Sequence, residues 1–255
     1  MLPNCVTLWI GPVLGPVERA CLRSVLRQGH QLTLYCYSQP EGVPEGVTTA
    51  DAAAVVPRSE LIRYRNGSYS LFSNRFRYEL QERGAGTWVD CDVYLLKPLD
   101  GTRPFLCGEQ APGRINGAVL RIPAGNPLLA ALLDVFQERA VPWWLPWRSR
   151  MAAHARLKTS GRSGVARMPW GTTGPSALTA LSKQLCIDLE PLPPELLYPV
   201  PWEKAEWIND PEVCLDDQVS SKTVAIHLWN ERIKHLCPDH APRGSFLARL
   251  RDEGG

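Results

Sequence analysis

SNRFRYELQERGAGTWVDCDVYLLKPLD, residues 73–100, holds the pattern from which the fold can be read. Apolar spacing predicts an amphipathic helix over 71–83, halted by Gly84-Ala85-Gly86. Thr87–Val89 is then a short apolar, β-rich run leading straight into Asp90. Residues two apart on a strand point the same way, so Asp90 and Asp92 converge just beyond its C-terminal end. That is where open α/β sheets bind ligands. Two hard carboxylates suit Mg²⁺ or Mn²⁺, ions that usually also hold substrate phosphates. Such an ion would neutralise a diphosphate and stabilise it as a leaving group. The bare Asp-x-Asp spacing also fits a solvated turn; the apolar strand before it places the pair at a sheet end.

Working outward, a strand is expected over 6–10, closed by Gly11-Pro12. A helix over 18–28 carries Cys21, Leu22, Val25 and Leu26 at helical spacing, and a second strand follows over 32–37. Strand, helix and strand joined by short connections form a βαβ unit and imply a parallel sheet. Further strands are expected over 116–122 and 224–229. Helices are expected over 127–139, capped by Asn126, and from 172 to about 185, with Pro175 in the first turn. Residues 140–170 read as irregular. The expectation is one α/β domain with a mostly parallel central sheet flanked by helices, Rossmann-like, with an irregular Trp/Arg-rich insertion.

Composition narrows the class. With 28 Lys and Arg against 26 Asp and Glu the chain is near neutral, so overall charge names no partner. No stretch approaches the ~18 apolar residues of a membrane span, and no basic n-region opens a signal peptide. The eight cysteines are scattered, without CxxC pairs or zinc spacing, and read as reduced thiols in a cytosolic protein.

The stretch 73–100 resembles the core of the DXD-type sugar-transferase superfamily, which includes initiating mannosyltransferases, capsule and lipopolysaccharide sugar transferases and glucosylating toxins. TLWIG at 7–11, GTTGP at 171–175 and AIHLWNE at 225–231 are similar to its first strand, a later loop and its closing strand, in the same order. The resemblance implies a GT-A fold, a nucleotide-diphospho-sugar donor, Mn²⁺ or Mg²⁺ as cofactor, and retention of anomeric configuration. It divides the single domain 1–255 into a donor half (1–100), an acceptor half (101–240) and a C-terminal tail (241–255). Asp90 would face the ribose or sugar and Asp92 would ligate the metal. His227, or after it Asn230, would supply a further ligand. Trp9 matches a base-stacking aromatic, though a core Trp fits it equally. Arg77 matches a donor-binding arginine and Trp88 the aromatic beside the acidic pair. Asn74 stands where the family often has Asp, which leaves the sugar's identity open. Thr173 and Gly174 begin a helix whose free N–H groups favour anions, and the same residues also make an ordinary cap.

Residues 139–187 contain no Asp or Glu but carry Arg139, Arg148, Arg150, Arg156, Lys158, Arg162, Arg167 and Lys183, with Trp143, Trp144, Trp147 and Trp170. A single-sign stretch creates a positive field, so an anionic saccharide or glycolipid acceptor, or peripheral attachment at the inner membrane face, is expected there. A lid packed by its Trp residues fits too. Protein, natural-product or modified nucleic-acid acceptors are alternatives within the same class. Outside it, basic residues with interleaved aromatics suit single-stranded nucleic acid, but the neutral chain lacks an RNA-binding motif. A two-metal nuclease or phosphatase would need more carboxylates than Asp90, Asp92 and the Asp216-Asp217 pair.

Overall fold

The computed structural model describes residues 2–255. Its centre is a six-stranded sheet in the order β3-β2-β1-β4-β7-β6. Strands β1 (Cys5–Trp9), β2 (Leu32–Cys36), β3 (Val47–Asp51) and β4 (Thr87–Val89) run parallel. The remaining pair closes the far edge antiparallel, β6 (Leu106–Ala111) and β7 (Arg114–Arg121). Two short strands outside this sheet, β5 (Val93–Leu95) and β8 (Ala225–His227), pair with each other antiparallel. The class is therefore α/β with a mostly parallel sheet, as the βαβ pattern predicts.

Helices cover both faces. Helix α1 (Pro16–Arg27) packs with the C-terminal helix Phe246–Gly254 on one apolar core. The opposite core lies beneath α2 (Ser70–Glu82), α3 (Pro127–Asp134) and α5 (Pro175–Gln184). The segment set apart as a tail thus contains a buried helix whose apolar face rests on α1.

Three expectations are corrected. Helix α3 stops at Asp134 rather than 139, because the chain tightens into turns of three residues (Phe136 N–H to Leu133, Gln137 N–H to Asp134) while Phe136 packs on Tyr78. Residues 140–170 are not wholly irregular: α4 spans Trp147–Ser160 and ends at Gly161 in the left-handed conformation. Ala153 is its only buried residue, so it lacks the apolar stripe by which helices are recognised. The late strand ends at His227, because Trp229 adopts a left-handed conformation (φ 58°) and turns the chain.

No helix among the described residues is long and apolar enough to cross a membrane.

Candidate active site

Strands β1 and β4 are neighbours, and the strand order runs outward from them in opposite directions, to β2 on one side and to β7 on the other. A crevice opens at such a switch point, past the strands' C-terminal ends. Trp9 ends β1 at this crevice, and Asp90 follows β4. A tight turn (Val93 N–H to Asp90 carbonyl, 3.0 Å) then starts β5, whose Val93 pairs with His227 of β8. The pairing brings His227 Nε2 to 3.3 Å from Asp92 Oδ2. Ligand atoms of Asp90, Asp92 and His227 all lie within 4.8 Å of one another.

Donors about 2.1 Å from an ion, in octahedral arrangement, sit about 3 to 4 Å apart, so this spacing fits one ion after slight closure. Two carboxylates with a neutral imidazole suit Mn²⁺ better than Mg²⁺. The Nδ1 atom of His227 is buried without a hydrogen-bond partner, so no contact holds the proton there, and Nε2 is the ring atom that faces the acidic pair.

Each carboxylate is fixed differently. Asp90 Oδ1 accepts from Arg77 Nη2 and from the Trp88 indole N–H, both at 2.7 Å. Arg77 also donates to the Gly117 carbonyl, and a Cβ at Gly117 would fall 2.8 Å from its guanidinium, which explains a glycine there. Asp92 Oδ2 accepts from the Asn230 backbone amide at 2.7 Å. Burial pushes the Asp90 carboxyl upward, opposed by Arg77 and aided by the charge of Asp92. Burial acts on Asp92 as well, but His227 and the Asn230 amide outweigh it and hold Asp92 below the usual carboxylate range.

Behind the pair, Asn74 donates to Thr173 Oγ1 at 3.1 Å and Tyr78 donates to the Thr173 carbonyl at 2.9 Å. The Asn74 amide would lie 3.0 Å from a Cβ on Gly174. Thr173, Gly174 and Trp88, expected to face the donor, are fully buried and absent from the cleft wall; Trp88 is 1% exposed. Their contacts position Asn74 and Asp90. Asn74, Arg77 and Trp9 do line the cleft, as do Asn230 and His227.

The cleft has a volume of about 320 Å³. Residues not anticipated from sequence complete it. Tyr64 presents a buried hydroxyl without a partner, and Ser70, Trp202 and Glu231 also line the wall. Trp170, Trp202 and Trp229 form an aromatic run with ring centroids 5.3 and 5.7 Å apart. Nothing local in sequence marks Tyr64. Trp202 shows in the sequence only as part of an excess of the residue type, whereas Trp170 belongs to the Trp/Arg-rich segment already expected beside the cleft. None of the eight cations of 139–187 lines the cleft, and of the tryptophans in that segment Trp170 alone does.

No family model matches the chain. It is similar to the lactosylceramide 4-alpha-galactosyltransferase of Gorilla gorilla gorilla, 25% identical over 179 residues that make up 64% of this chain and 45% of the relative. The Mus musculus protein of that name is 26% identical over 204 residues, 74% of this chain and 49% of the relative. The chain spans about half the length of the curated relatives it matches. Among solved structures, the chain of "PaToxG Glycosyltransferase" superposes with a TM-score of 0.42 and 13% identity, over 71% of this chain and 68% of that one.

Proposed function

We propose, from the premise that the chain belongs to the glycosyltransferase superfamily, that it is a metal-dependent retaining enzyme moving a hexose from a nucleotide-diphospho-sugar to a saccharide acceptor of a capsule, lipopolysaccharide or other glycoconjugate. One observation carries this: Asp90, Asp92 and His227 converge at the C-terminal end of a parallel sheet, on the wall of a cleft of about 320 Å³. Asp92, Asp90 and His227 would hold Mn²⁺, with Asn230 at its rim. The ion, when bound, supplies positive charge to the departing diphosphate.

The remaining roles belong to the chain's own groups. Arg77 and Trp88 hold Asp90 with one oxygen committed and the other free. Asn74, braced by Thr173 and Gly174, and the unpartnered Tyr64 hydroxyl offer hydrogen bonds to sugar hydroxyls. Trp9 ends β1 where a nucleotide base can stack. Trp170 and Trp202 face an acceptor ring at the mouth. The acceptor's anionic part, if it meets the cations of 139–187, does so outside the cleft. The galactosyl transfer named for the curated relatives puts galactose first among donors to test.

The decisive experiment incubates the protein with Mn²⁺ and a panel of nucleotide sugars and measures released nucleotide diphosphate. Release from one donor, lost in Asp92→Ala and on chelation, is expected. No release from any donor overturns the proposal.

A further inference from the structure

Helix α4 is held by very little. Of its residues only Ala153 is buried, while Trp147 and Met151, one turn apart on the same face, are 62% and 63% exposed. Trp143 in the lead-in is 54% exposed. Large apolar side chains gathered on one helix are unusual on a free surface. Around them stand Arg148, Arg150 and Lys158, all exposed, with no carboxylate anywhere from 139 to 187. The acidic residue nearest in sequence, Glu138, is paired to Arg162 at 3.1 Å, just past the helix's far end.

The helix is fastened to the active site. The Trp144 indole N–H donates to the Thr172 carbonyl at 3.0 Å, next to the Thr173 that braces Asn74. Trp170, two residues before Thr172, lines the cleft. The lead-in to α4 is therefore tied to the segment that carries Trp170 on the cleft wall.

We propose that this face of α4 docks on an anionic lipid bilayer, seating Trp147 and Met151 in the headgroup boundary with Arg148, Arg150 and Lys158 against lipid phosphates. Tryptophan, with an apolar body and a polar N–H, suits that depth. Lys and Arg lay their stems along apolar surface and keep their charges outward. A helix lying in the interface plane with a cationic flank is the recognised form of such attachment. Charge complementarity selects the occupant. A single-stranded nucleic acid needs open aromatic faces along a groove. Here the Trp147 ring sits on a convex helix with the Arg148 guanidinium 5.3 Å over it. Docking there would bring the cleft mouth to a membrane-borne acceptor, a link that rests on the function proposed above. The attachment itself does not depend on the donor chemistry.

The test is co-sedimentation of the whole chain with phosphatidylcholine vesicles, with and without phosphatidylglycerol, alongside donor hydrolysis without vesicles. Binding to anionic vesicles alone is expected, weakening with salt as screening shortens to about 8 Å at physiological strength. Removing Arg148 and Lys158 should weaken partitioning about five-fold each. Trp147→Ser with Met151→Ser should abolish it, and Trp147→Phe should retain it. Donor hydrolysis and melting temperature should be unchanged throughout. The proposal is overturned by absence of binding to anionic vesicles, or by binding indifferent to these substitutions. It is equally overturned if the face binds a single-stranded oligonucleotide and no vesicle, or if sedimentation shows a dimer that Trp147→Ser disrupts without any vesicle binding. Vesicle binding as expected with no hydrolysis of any donor would sink the proposed function and leave the docking surface standing.

Discussion

The backbone amide of Asn230 donates to Asp92 Oδ2 at 2.7 Å, across 138 residues of sequence. Because the donor is main chain, the contact survives any side chain at 230 except proline. Asn230→Ala should therefore leave metal-dependent nucleotide-diphosphate binding within a few-fold of the parent. His227→Ala, which removes the third ligand proposed above, should weaken it by at least the ~10–100-fold seen when outer partners of metal sites are removed. Calorimetric titration with and without Mn²⁺ checks both, and equal losses would give Asn230 a ligand's place.

Arg77 and Asp90 form an ion pair at 2.7 Å with the arginine side chain 8% exposed. Arg77→Met leaves Asp90 half-buried without its cation. Losing one partner of a buried pair costs about 3–5 kcal/mol. The urea midpoint should fall accordingly, and Asp90→Asn added to Arg77→Met should restore part of it. A midpoint unmoved by Arg77→Met would show that Trp88 and water suffice for Asp90.

Tyr64 keeps a buried hydroxyl without a partner. Tyr64→Phe removes a hydroxyl that lies near Thr173 and Gly171 without a well-formed hydrogen bond, so melting temperature should change little. If the hydroxyl meets the donor sugar, donor kcat/KM should drop about 2- to 10-fold, the worth of one net hydrogen bond. Unchanged kinetics would return Tyr64 to the core.

The C-terminal helix supplies a pH prediction. Burial raises the Glu253 carboxyl, but contacts from Arg249 (2.8 Å), the Tyr94 hydroxyl (2.8 Å) and Arg27 (2.8 Å) outweigh it and hold it below its ordinary 4.5. A depressed folded value stabilises the protein above the unfolded value and loses that contribution as pH falls through the folded one. Stability should therefore decline as pH falls below that ordinary value of 4.5, and Glu253→Gln should flatten that part of the curve. Urea unfolding at a series of acid pH values measures it; identical slopes in both proteins would refute it.

The product should keep the donor's anomeric configuration. This rests on the resemblance of residues 73–100 to the DXD-type sugar transferases; the carboxylates lining the cleft are Asp90, Asp92 and Glu231, the last paired with Lys234. A same-face reaction, in which the leaving diphosphate helps deprotonate the acceptor, does not need a carboxylate nucleophile. Proton NMR of early product decides it, and inversion would exclude this route.

Local chemistry made part of this legible. Asp90 and Asp92 could be placed at a sheet end because strand periodicity and a preceding apolar run are written in adjacent residues. Strand β5 was invisible because its partner lies in β8, over a hundred residues away, and three residues carry no period of their own. Helix α4 is illegible for the opposite reason: burying almost nothing, it shows no apolar stripe, although Gly161 marks its end. Trp88, Thr173 and Gly174 could be tied to the right region from sequence, but whether a residue faces a ligand or braces one that does depends on packing.

The pairing of β5 with β8 bears on how the protein is made. Chains emerge from the ribosome N-terminal end first, so the parallel strands and both aspartates exist well before His227 and Asn230 are synthesised. Until β8 arrives, Asp92 lacks its imidazole neighbour and its backbone donor, and the two carboxylates repel each other with only Arg77 between them and open water. A chain that has not yet gained β8 therefore carries the acidic pair without the His227 ring or the Asn230 amide beside it. Closing that long loop is among the slow, non-local steps of folding, so the grouping of Asp90, Asp92 and His227 is completed late, together with the fold.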